Sequence, residues 1–173
     1  MEVSNQDIKN ARKIFHNYRR IKMEIKQIEN SIEYTKRNIE SSINQDIHSA
    51  SVSHAVGGNG GSSGSVNVDK IPNIAENIDK MRKQYNDNLA ELNRKKNILS
   101  TASRSVEIFI SSLEWTDRTL ITRLYADDTR KSYDEVSSEL CQSTDALKKR
   151  ERRLMQHYVK TSHINILDVL NSI

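Results

Sequence analysis

Apolar residues recur near the start of the chain at Ile8, Ala11, Ile14/Phe15, Tyr18, Ile21, Ile25, Ile28, Ile32, Thr35 and Ile39. From Tyr18 onward, steps of three and four alternate, which is the 3.5-residue seam of a coiled coil. Ser4 and Asp7 offer a capping pair just ahead of this stripe. The pattern predicts a helix from Gln6 to Ser42, roughly 55 Å long at about 1.5 Å per residue, within a first segment of residues 1–44. A second stripe runs through Ile74, Ile78, Met81, Tyr85, Leu89, Leu92, Leu99, Val106, Ile110 and Leu113, interrupted at Lys96 and Ser103. Asp69 can cap it, and Pro72 falls in the first turn, where a missing N–H costs little. A second long helix is therefore expected over residues 70–115. Residues 45–69 carry no periodicity and hold every glycine of the chain, between Gly57 and Gly64. That composition predicts a flexible Gly/Ser-rich loop. A phosphate-cradling loop would need Gly-Lys-Ser/Thr opening a helix, and none follows. Two amphipathic helices joined in this way predict an antiparallel, coiled-coil-like hairpin that serves as a scaffold and an oligomerisation element.

Composition supports an elongated all-α protein. Only 35% of the 173 residues are hydrophobic, 29% are charged, and there are two Phe and one Trp. Average domains run nearer about 45–50% apolar when glycine is counted, so a large spherical core is excluded. One Pro and five Gly leave few helix breakers, and no window alternates as a strand does. The net charge of +4 permits an acidic partner without requiring one. The single Cys141 cannot form an intramolecular disulfide and fits a reducing compartment. MEVSNQDIKN lacks the basic and apolar regions of a signal peptide, and no run of apolar residues could span a bilayer. The expected location is the cytoplasm, with no membrane partner.

Residues 116–160 follow a different plan. Thr116 and Asp117 can open a helix, DRTLITRLYA, with Leu120, Leu124 and Tyr125 inward. ADDTRK breaks it. Ser132-Tyr133-Asp134-Glu135 is a capping box opening a short helix with Tyr133, Val136 and Leu140 on one side. Cys141-Gln142 is the turn, and Ser143 or Thr144 caps a third helix with Leu147, Leu154 and Tyr158 inward. This is the order of a helix-turn-helix. Its last helix and tail hold Lys148, Lys149, Arg150, Arg152, Arg153 and Lys160 against Asp145 and Glu151. The apolar positions turn Thr144, Asp145, Lys148, Lys149 and Arg152 outward, as a helix in a major groove requires. Thr144 and Asp145 would lie near base edges, Lys148, Lys149 and Arg152 would contact DNA, and Ser143 and Arg153 would serve phosphate. A basic helix is also commonly just a solvated face. The residues alone leave both readings open, although a merely solvated helix has no need of the capped short helix before it.

The stretch RTLITRLYADDTRKSYDEVSSELCQSTDALKKRERRLMQHY resembles region 4 of sigma-70-type factors. It resembles more closely the phage-encoded late-gene transcriptional regulators of the ArpU/RinA type. Their pattern has a helix ending near a Leu/Tyr pair, Ser-aromatic-x-Glu-Ile-Ala, a Leu-Gly turn, and Ser-x-x-Thr-Val opening the recognition helix. Here those positions read Arg118 to Tyr125, Ser132-Tyr133-Asp134-Glu135-Val136-Ser137, Leu140-Cys141 and Ser143-Thr144-Asp145-Ala146-Leu147. The motifs cover about a quarter of the chain, and the N-terminal likeness is one of architecture only. The main departure is Cys141, where the family often has glycine. A Cβ is strained at positive φ, so the turn is expected to depart from the family's geometry or to be distorted. The resemblance implies sequence-specific binding of double-stranded promoter DNA, activation in a phage or prophage setting, and a possible contact with RNA polymerase.

Two other readings compete: a small terminase-like DNA-packaging subunit, and a coiled-coil adaptor that binds no DNA. An enzyme is not expected, because no nucleophile, carboxylate pair or cofactor loop stands out. The five histidines have no metal-ligand spacing, and Asp127-Asp128 lacks a third carboxylate, so neither metal nor cofactor is expected. Trp115 is expected in packing at the junction of the two parts. Residues 161–173 form an amphipathic tail with Ile166, Leu167, Leu170 and Ile173 on one side, expected to cover the three-helix unit or a dimer partner.

Overall fold

The computed structural model describes residues 3–55, 70–162 and 164–172. Every regular element among them is helical: α1 (Asn5–His16), α2 (Tyr18–Ala55), α3 (Lys70–Ser112), α4 (Trp115–Ile121), α5 (Tyr133–Leu140), α6 (Thr144–Thr161) and α7 (Ile166–Ser172), with a π turn at Thr122–Ala126. None of these helices is long and apolar enough to cross a membrane. The chain divides into two compact units, Met1–Gln27 with Lys95–Ile173, and Ile28–Arg94. Asp69 and the glycine-rich stretch lie outside the described residues.

The expected rod over Gln6–Ser42 is two helices. Asn17 interrupts it at φ −94° and ψ 5°, and its side-chain Nδ2 donates to the Lys13 carbonyl at 2.9 Å. Asparagine competes for backbone partners in this way, which makes it a poor helix-interior residue. α2 then runs to Ala55, past the expected end at residue 44. QDIHSASVSHA contains neither Gly nor Pro, so nothing in it stops a helix already under way. The capping pair is as predicted: Ser4 N–H donates to Asp7 Oδ2 and Asp7 N–H to Ser4 Oγ, both at 3.1 Å.

In the larger unit, α2 and α3 run antiparallel. Tyr18 Oη donates to Glu107 Oε1 at 2.8 Å, Lys22 pairs with the same carboxylate at 2.9 Å, and Lys95 meets Glu24 at 2.8 Å. The buried stripe of α3 passes through Leu99, Ala102, Val106 and Phe109 and continues to Leu113, just past its end. It therefore includes Phe109, whereas the expected Ile110 is only half-buried. In the smaller unit, Ile32, Ile39, Ile78, Tyr85, Leu89 and Leu92 are half-buried, while Met81 is exposed.

Four segments build one aromatic core. Phe15 of α1 meets Tyr158 of α6 at 4.8 Å, Tyr125 of the π turn at 5.8 Å and Phe109 of α3 at 5.9 Å, all edge-on. Edge-to-face contact is the favoured arrangement of such rings. The expected unit at 116–160 is thus packed on α1 and α3 and shares their core. α7 adds Val169, which is buried, whereas Leu167 is exposed. The tail's inward side is therefore shifted from the expected one.

α4 opens at Trp115, one residue before the expected start, with Glu114 as an N-cap lacking a side-chain bond. Arg118 instead caps the end of α3, donating to the carbonyls of Ser111 at 2.7 Å and Leu113 at 2.9 Å. These are carbonyls that a helix end otherwise leaves unpaired. Trp115 is 72% exposed, contrary to the packing expected of it. The break between α3 and α4 rotates it off the stripe formed by Leu113, Leu120 and Ile121, all buried.

Candidate nucleic-acid interface

Local chemistry sets up α5 and α6 as the sequence indicates. Ser132 caps α5 reciprocally with Glu135: the Ser132 N–H donates to Glu135 Oε2 at 2.6 Å and the Glu135 N–H to Ser132 Oγ at 3.3 Å. The Ser132 N–H, and with it the Ser132 hydroxyl donating to the same Oε2 at 2.8 Å, holds the Glu135 carboxyl below its ordinary value. α5 stops at Cys141, which adopts φ 51° and ψ 40°. The N–H groups of Cys141 and Gln142 both reach the Ser137 carbonyl, the latter at 3.2 Å. This is the left-handed helix end that glycine usually supplies. A Cβ there costs about 1–2 kcal/mol, and glycine's extra chain entropy offsets about half of that. Cys141→Gly is expected to stabilise the protein by about 0.5–1 kcal/mol, read as a raised urea midpoint at unchanged slope.

α6 is amphipathic in an unusual way. Leu147, Glu151, Leu154, Met155 and Tyr158 form its buried side, and Glu151 is fully buried. Arg12 grips that carboxylate with two bonds, Nε to Oε1 at 2.9 Å and Nη2 to Oε2 at 2.5 Å. Tyr125 Oη donates to Oε1 at 2.9 Å. Burial first, and then the Glu151 charge, push the Tyr125 phenol far up, so it remains a donor. The ion pair pushes the Arg12 guanidinium higher still. Glu151 is therefore an anchor between α6 and α1, and no part of the outward charge. The sequence signal was its place in the stripe 147–151–154–158, spaced four, three and four. The partner Arg12, 139 residues away, had no local signal.

The outward side of α6 carries Asp145, Lys149, Arg152 and Arg153, all exposed. Lys149, Arg153 and Lys160 form no ion pair among the described residues. Arg152 is exposed but donates to Asn5 Oδ1 at 2.7 Å. Lys148 is exposed on the flank, its Nζ 5.9 Å from the centre of the Tyr133 ring. Thr144 is half-buried. Ser143 Oγ accepts the Ala146 N–H at 3.3 Å and keeps its hydroxyl hydrogen for a further acceptor. Arg150, on the other flank, is taken by Asp117 of α4.

Charge is unevenly shared between the units. Residues 1–27 and 95–173 hold 20 Lys and Arg against 14 Asp and Glu, while residues 28–94 hold 7 against 9. The unit bearing α6 is thus net +6 and the other −2, a segregation that the whole-chain value of +4 conceals. Asp127 pairs with Arg123 and Asp128 with Arg19, each at 2.8 Å. Arg130 donates to the His16 carbonyl. The loop before α5 is thereby fastened to the α1–α2 junction. No family model, curated protein or solved structure matches the chain.

Proposed function

We propose that the protein is a sequence-specific DNA-binding transcriptional regulator, with α5, the Cys141 turn and α6 acting as a sigma region 4-like helix-turn-helix. The observation that carries this reading is the outward face of α6. Among the described residues, Lys149, Arg153 and Lys160 stand free of ion pairs, on a helix whose opposite side is fixed by a buried carboxylate and an aromatic core. A rigid helix with unpaired cations suits phosphate and base edges, which need donors in fixed places. The tight αL turn and the capped eight-residue helix before it are the supporting parts of such a motif. The resemblance to ArpU/RinA-type regulators adds the setting: a phage or prophage promoter, activation, and RNA polymerase as a partner. In this reading α2 and α3 extend as a helical hairpin and pair with a second copy. That would place two recognition helices on one duplex.

The test is binding of duplex DNA by the wild type and by Lys149→Ala/Arg153→Ala. Two lost contacts should weaken binding to the preferred site by about 2–4 kcal/mol and lower the salt slope by about one per phosphate contact. Circular dichroism should be unchanged, since both side chains are exposed. Equal affinity and equal salt slope in the two proteins would remove α6 from the interface.

A further inference from the structure

A trough of about 540 Å³ lies beside the recognition helix, lined by Arg12 and His16 of α1, Leu124 and Tyr125 of the π turn, Lys131, Ser132 and Tyr133 at the start of α5, and Lys148 of α6. We propose that it seats a backbone phosphate of the bound duplex, which makes α1 a third DNA-contacting element. This rests on the DNA-binding reading and extends it beyond the two helices of the motif.

Two features favour a phosphodiester there. Lys148 contributes an ammonium that has no carboxylate partner among the described residues, poised near the Tyr133 ring. Arg12 commits Nε and Nη2 to Glu151, leaving two further N–H donors on Nη1. Lys131 is on the rim, though Glu139 shares its charge. The trough is also fixed in place. The Arg12–Glu151 bonds tie α1 to α6, and Arg130 ties the loop to the end of α1. The walls are then already ordered when the phosphate arrives, which favours binding.

His16 reports on the α1 wall. Its ring packs edge-on to Tyr125 at 4.8 Å, and burial, followed by the nearby Arg130, lowers its pKa. A phosphate in the trough adds a negative neighbour and raises it.

The experiment is NMR of the histidine rings, with His16 identified by a His16→Gln variant, during titration with the preferred duplex. Affinities of the wild type and Lys148→Gln are measured in parallel by anisotropy. The expected result is a shift of the His16 ring signals on binding. Lys148→Gln should bind about tenfold more weakly, lower the salt slope by about one, and diminish the His16 shift. Suppose the duplex binds and Lys149→Ala/Arg153→Ala weakens it, while His16 is unmoved and Lys148→Gln matches wild type. The trough proposal is then overturned and the DNA-binding reading stands. Absence of any DNA binding overturns both.

Discussion

Arg12→Ala is expected to cost about 3 kcal/mol of stability, near the lower end of the roughly 3–5 kcal/mol for stripping one partner from a buried ion pair. Glu151 is fully buried, so its carboxylate would keep only the Tyr125 hydroxyl. The lower end applies because the Arg12 side chain is 37% exposed and already partly solvated. Replacing both partners with apolar residues of similar length, Arg12→Met/Glu151→Met, should lie closer to wild type than Arg12→Ala does. Removing the whole pair leaves no orphaned charge. Urea unfolding of the three proteins checks this. An Arg12→Ala midpoint equal to wild type would mean that the carboxylate finds water, contrary to its burial.

Phe15→Ala is expected to have a still larger effect, about 3–5 kcal/mol. Phe15 is fully buried and touches rings from three other segments, Phe109, Tyr125 and Tyr158. Truncation loses its transfer energy and opens a cavity that three rigid rings cannot readily close. Phe15→Leu keeps most of the volume and should lose clearly less. Because the core is shared, both substitutions should lower one cooperative transition observed at Tyr158 and at α1 alike. Separate transitions for α1 and for α4–α6 would contradict a common core.

These contacts mark how far the sequence could be read. The capping boxes at Ser4–Asp7 and Ser132–Glu135 were legible because each is complete within four residues. The inward residues Leu147, Leu154 and Tyr158 were legible because a helix repeats every 3.6 residues. The turn at Cys141 was expected to depart from the resembled motif because of its Cβ, yet it keeps the left-handed geometry. Other features depend on partners distant in sequence. The fate of Glu151 was decided by Arg12, and the exposure of Trp115 by the break after α3. The Asn17 interruption and the π turn are single-residue adjustments that a hydrophobic stripe does not register. Of the positions that helical spacing turns outward, Asp145, Lys148, Lys149 and Arg152 are exposed, while Thr144 is only half-buried. The engagement of Arg152 with Asn5 required the fold.

The central claim is that α6 reads DNA, and its most direct test is wild-type binding to duplex fragments tiled across the gene's own genomic neighbourhood at physiological salt. The account predicts one fragment bound about 10³-fold or more above the rest, the ordinary margin between specific and non-specific sites. Uniform weak binding to every fragment would contradict it and leave the basic face of α6 as solvated surface.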